Sequence, residues 1–218
     1  MTIPSRIKDI FLQISGYLVP LLQQIPTLGI YVGLMTLPLI AVLAILFTQF
    51  PFNVIGGIAE FITMSLISPG VFLANLATLI GILLTVYSII YFYRHRKIGL
   101  VTTGPYRFIR HPQYLGFLLI TLGLTVFCYW WLSNTFGIGW LSKEATVALW
   151  FVQFGIYVAL ALIEEYSLTK ELGDAFRAYR RQTSFFIPVG RLNRFDIPLS
   201  ISILSLAMIS LLLIQMIW

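Results

Sequence analysis

Five apolar runs, at 28–50, 71–93, 114–133, 146–163 and 197–217, leave this chain few ways to fold. A helix needs roughly 20 residues to cross about 30 Å of hydrocarbon, so each run predicts a membrane-spanning helix. Composition agrees: 59% of the 218 residues are hydrophobic and only 10% charged, too little polar surface to solvate a globule of that size. Mean hydropathy is +0.92. The expected fold is therefore all-α, a polytopic bundle of about five transmembrane helices with additional interfacial helices. So much of the length is committed to spans that one domain over 1–218 is expected, with any site built from helix ends and loops. Two further segments are ambiguous. Gln13, Gln23 and Gln24 interrupt 10–25, and Glu60 lies in 54–67, so both are expected to be interfacial or re-entrant.

The charge distribution orients the bundle. With the N-terminus inside, every Lys and Arg except Lys143 falls on the cytoplasmic side, the bias that membrane insertion imposes. Trp130, Trp131, Trp140 and Trp218 then mark the outer interface, Tyr91 and Tyr93 the inner one, and the C-terminus lies outside. The net charge of +6 sits beside apolar spans rather than on a soluble basic face. Anionic lipid headgroups are the expected partner and nucleic acid is excluded. The first residues, 1–13, are polar and lack a small-residue cleavage site, so no signal peptide is expected. The lone cysteine, Cys128, lies in an apolar run and permits no internal disulfide; with only two histidines there is no metal ligand set. Neither G-x-S-x-G nor a glycine-rich nucleotide loop occurs.

Chemistry concentrates in two polar blocks that the orientation brings to one membrane face. The first is 100–116, LVTTGPYRFIRHPQYLG. Gly104-Pro105 signals a turn, and Pro112 pushes His111 out of helical geometry just before the third span. The N-terminus of that span suits a carboxylate or phosphate, with Arg107 and Arg110 alongside. The second block begins at Glu164-Glu165, at the end of the fourth span, where adjacent carboxylates need a cationic partner. Leu168, Leu172, Ala175, Phe176 and Tyr179 then recur at helical spacing opposite Lys170, Asp174, Arg177 and Arg181, predicting a surface helix. Arg177 and Arg181 are expected on anionic lipid, and His95 in a solvated basic cluster.

These blocks, from Leu100-Val101-Thr102-Thr103-Gly104-Pro105-Tyr106-Arg107 through Arg110-His111-Pro112-Gln113-Tyr114-Leu115-Gly116 to Glu164-Glu165 and the 172–179 run, resemble the isoprenylcysteine carboxyl methyltransferases and the related phospholipid methyltransferases. The resemblance covers about 98–188. It implies a membrane methyltransferase whose S-adenosyl-L-methionine sits in a cytosolic site after the third and fourth spans, with a lipid or small amphipathic acceptor entering from the bilayer. By position, the family's cofactor contacts fall on Ile98, Gly99, Leu100, Val101, Tyr106, His111, Pro112, Gln113, Tyr114 and Glu164. Residues 1–70 then form an N-terminal extension with the first span, 71–190 the catalytic core and 191–218 a C-terminal span.

Physical reasoning runs alongside: the cofactor's amino group and sulfonium suit carboxylate and aromatic faces, and its carboxylate suits N–H donors or Arg110. The chain departs from members that act on prenylated cysteine carboxylates by carrying Leu160 where they have an arginine. The acceptor stays open between carboxylate, amine and thiol, the last two requiring a base, for which Glu165 and His111 are candidates. Catalytic roles are thus expected at Arg110, Glu165 and His111. A membrane NADPH-dependent sterol or enone reductase and a non-enzymatic membrane scaffold are the competing readings.

Overall fold

The computed structural model describes residues 37–49, 63, 68–96, 99–135, 139–188 and 196–217. The expectations for 10–25 and for 54–67 other than Thr63 lie outside the described residues. Contacts divide the chain into units Met1–Leu37 and Pro38–Trp218, and the second carries everything below. In chain order come α1 (Leu37–Gln49), α2 (Pro69–His95), a 3₁₀ turn (Gly104–Arg107), α3 (Pro112–Asn134), α4 (Lys143–Leu172), α5 (Asp174–Gln182) and α6 (Asp196–Ile217). The protein is a polytopic helical membrane bundle, as the apolar runs require; α2, α3, α4 and α6 are each long and apolar enough to span. Of the first expected span, 28–50, the described part is helix α1.

Local signals start and stop these helices. Proline occupies the first turn of α2 and α3, where its missing N–H is not needed. Ser142 caps α4, its hydroxyl accepting from the Ala145 N–H at 3.1 Å. At the other end Gly173 turns to a φ of +56° and closes α4 through its N–H to the Thr169 carbonyl. One boundary differs from expectation. The fourth apolar run ends at 163, yet α4 continues to Leu172, and its 30 residues extend about 45 Å, well beyond the hydrocarbon. Glu164 and Glu165 therefore stand inside a continuous helix rather than at its end. The surface helix beyond them is the separate α5, set off by Gly173.

Helix α3 is the axis of the bundle, with Leu118, Leu122, Val126, Thr121 and Thr125 all buried. It meets α2 along a seam of small residues. A Cβ on Gly123 would strike the Thr78 hydroxyl and the Ala74 carbonyl, and one on Gly81 would sit 2.5 Å from the Gly116 carbonyl. Lipid supplies no hydrophobic drive between helices, so such close approach provides the packing. Outward faces of α2 and α6 carry Leu79, Leu83, Leu206 and Leu213, all exposed, as lipid contact requires. α6 is tied at both ends: Gln215 accepts from the Ser68 hydroxyl at 3.2 Å, and at the other end Asp196 and Ser200 reach the segments around the site.

Candidate active site

The loop before α3 is built around one glycine. Gly104 has φ +61°, and a Cβ there would lie 2.5 Å from the Tyr91 ring, so the position excludes side chains twice over. Tyr91 fastens the approach by donating its hydroxyl proton to Thr103 Oγ1 at 2.7 Å. After the 3₁₀ turn, the Arg110 N–H donates to the Ser184 carbonyl at 2.9 Å and the Ser184 N–H to the Phe108 carbonyl at 3.3 Å. The chain following α5 is thereby stitched to the residues preceding His111. Pro112 keeps His111 at φ −123°, ψ 61°, outside helical geometry, and its ring turns toward α4.

A buried knot of charge results. Arg110 donates through Nε to Glu165 Oε1 at 2.5 Å and through Nη2 to Asp196 Oδ2 at 2.8 Å, while Nη1 reaches the carbonyls of Arg180 and Thr183. Its guanidinium also faces the Phe185 ring at 5.5 Å. Glu165 is 3% exposed, and its other oxygen forms an ion pair with Arg180 Nε at 3.2 Å without a hydrogen bond. His111 bridges the neighbouring carboxylates: Nε2 lies 3.3 Å from Glu165 Oε1 and Nδ1 3.5 Å from Glu164 Oε2. Arg110 and Arg180, joined by His111 when its ring is protonated, offset Glu164, Glu165 and Asp196, as the buried charges among them require. Burial pulls the His111 imidazole's pKa down, but Glu164 and Glu165 outweigh it and hold the pKa above its ordinary 6.5.

Beside the knot lies a cavity of about 300 Å³, at the small end of ligand pockets. Gly99, Leu100, Val101, Tyr106, His111 and Glu164 line it, with Phe92, Arg96, Leu168 and Phe176 completing the wall. Glu164 keeps 43% of its side chain exposed while His111 and the Tyr114 hydroxyl hold it. Burial, reinforced by the Glu164 charge, pushes Tyr106 up to about 12, so its hydroxyl keeps the proton it donates to Gln113 Oε1 at 2.5 Å. Tyr179 donates to the Tyr106 carbonyl at 2.6 Å, and burial raises its pKa as well.

The expected site residues therefore separate. Pro112, Gln113 and Tyr114 stand behind the cavity wall: Pro112 opens α3, Gln113 holds Tyr106, and Tyr114 stacks on His111 with centroids 5.4 Å apart. Glu165 lies behind His111 and is absent from the cavity lining. Arg110 borders the cavity but spends its donors on Glu165, Asp196 and two carbonyls. Arg107 is exposed and His95 stacks on Tyr91 at 4.1 Å. Ile98 lies outside the described residues. Sequence reasoning missed Asp196 and Arg180 as members of the knot. For Asp196 the signal was present, a carboxylate at the mouth of an apolar run on the face that carries Arg110.

Residues 88–141 match the isoprenylcysteine carboxyl methyltransferase (ICMT) family. The matched stretch runs from the last turns of α2 through the loop and α3, so it carries Tyr106, Arg110 and His111 and stops short of Glu164. The family resemblance read from the residues is borne out over that stretch, and the class it supports is a membrane methyltransferase. No curated protein and no solved structure matches the chain.

Proposed function

We propose that this chain is an S-adenosyl-L-methionine-dependent methyltransferase acting on an acceptor dissolved in the bilayer, with its N-terminus and site facing the cytosol. The observation that carries this reading is Glu164: a half-exposed carboxylate in a small aromatic cavity, steadied by His111 and Tyr114. The donor set suits that cofactor. Glu164 takes its cationic amine, Tyr106, Phe92 and Phe176 offer rings to the adenine and sulfonium, and Arg96 meets its carboxylate. Arg96 fits that task better than Arg110, whose donors are already engaged. When bound, the cofactor supplies a methyl group on positively charged sulfur. The chain's own residues then hold geometry, because methyl transfer depends mainly on alignment.

Arg110 and Glu165 act as positioning residues that fix His111, which in turn fixes Glu164. The two carboxylates beside His111 favour its protonated form, which has no free lone pair, and Glu165 is closed off behind it. An acceptor that arrives already ionised, as a carboxylate does, needs neither. The test is calorimetry on detergent-purified protein with S-adenosylhomocysteine. Saturable binding is expected, weakened about tenfold or more in Glu164→Gln by loss of a charge-assisted contact. Absence of binding to the wild type sinks the reading, and NADPH binding in its place identifies a reductase.

A further inference from the structure

A second and larger concavity lies between the loop before α3 and the amphipathic α5. It is a groove of about 1020 Å³ lined by Thr102, Thr103, Arg107, Arg181, Gln182 and Thr183, with Tyr179 as the wall it shares with the Glu164 cavity. No carboxylate side chain lines it. Its arginines differ from those around them. Arg110, Arg177 and Arg180 are each paired with an acid. Among the described residues Arg107 and Arg181, like Arg94 and Arg96 outside the groove, are paired with none, and both are exposed. Two guanidiniums facing one groove repel each other until an anion arrives.

The donors around them narrow the anion. Threonine hydroxyls and the Gln182 amide add hydrogen bonds beyond what the two oxygens of a carboxylate can absorb, whereas a phosphate presents more oxygens and accepts bidentate arginine contacts. The groove also sits at the membrane boundary. Phe108, directly after Arg107 and four residues before the spanning helix α3, is 61% exposed, an apolar ring beside a cation as interfacial contacts favour.

We infer that this groove is a phosphate-binding site, filled by the headgroup of an anionic lipid or by a soluble phosphate. The inference does not rest on methyl transfer, and its readout is binding alone. Purified protein in neutral detergent is titrated with dioctanoyl phosphatidylglycerol, with dioctanoyl phosphatidylcholine and with inorganic phosphate, following thermal unfolding. A saturable rise in Tm with phosphatidylglycerol alone identifies the lipid source; a rise with inorganic phosphate as well identifies the phosphate group itself. In either case Arg107→Gln/Arg181→Gln should weaken the response about tenfold or more, as loss of charge-assisted contacts implies. Arg94→Gln, an exposed arginine outside the groove, should leave the response unchanged. A wild type that responds to none of the three, or a double variant that responds like the wild type, overturns the site. Retained S-adenosylhomocysteine binding in the double variant separates its loss from failure of the methyltransferase reading.

Discussion

Along its spanning length α3 is held by the absence of side chains, and at the residue before its start, His111, by a cluster of paired charges. At Gly116 and Gly123 the α2 backbone comes close enough that a Cβ would collide with it. At His111 the neighbours are Glu164, Glu165 and Arg110, which are themselves joined to Asp196 and Arg180. The seam is a sum of many small dispersion contacts and changes gradually with geometry. The centre of the knot is far less forgiving, because removing Arg110 leaves Glu165 and Asp196 charged and buried. One chain thus uses tolerant packing to build the bundle and intolerant pairing to fix the site.

The largest effect should follow from Arg110→Met. Glu165 and Asp196 would lose the guanidinium they share, at a cost of about 3–5 kcal/mol, enough to exhaust the stability of many domains. Fluorescence-detected size exclusion with thermal challenge reads this directly. Replacing Arg110, Glu165 and Asp196 together by methionine should recover much of the stability, since apolar replacement of a buried ion triad is near neutral or favourable and Arg180, which loses Glu165, is half-exposed. A single variant as stable as the wild type would remove the distinction between knot and seam.

The seam should respond less. In Gly123→Ala the new methyl meets the Ala74 carbonyl, a backbone atom that cannot swing aside, so the helices must part at a cost of about 1–3 kcal/mol. Affinity for S-adenosylhomocysteine should stay near wild type, because nothing in the site touches Gly123. Gly104→Ala falls lower still: left-handed φ costs about 1–2 kcal/mol, and the displaced Tyr91 ring would loosen the loop that presents Tyr106. Its signature is weaker ligand binding with a modest fall in Tm.

These differences explain what the sequence disclosed. Spans are legible because twenty apolar residues have few alternatives, and the loop before α3 is legible because Gly104, Pro105 and Pro112 act on their own backbone. The end of α4 was not, because the apolar run stops at 163 while the helix continues, and the partners that hold Glu164 and Glu165, His111 and Arg110, lie more than fifty residues earlier. Asp196 escaped notice for the same reason: its partner lies 86 residues earlier. Composition also conceals which of two adjacent glutamates faces a cavity; that depends on the angular position of α4, which its packing on α3 determines.

The smallest effect sharpens the comparison most, because it reads the knot without dismantling it. His111 has a folded-state pKa above its unfolded 6.5, so folding favours the protonated ring. The stability this contributes is complete below pH 6.5 and drains away as pH rises through the folded value. Thermal unfolding of the wild type should therefore show a falling Tm above pH 6.5, and His111→Gln should flatten that part of the curve, the difference between the two profiles isolating the imidazole. Glu164 and Glu165 supply the favourable charge, so Glu164→Gln should give an intermediate slope. If the variant's profile paralleled the wild type's, the ring would be neutral between the carboxylates. It would then have a lone pair free to act as a base, as amine and thiol acceptors require.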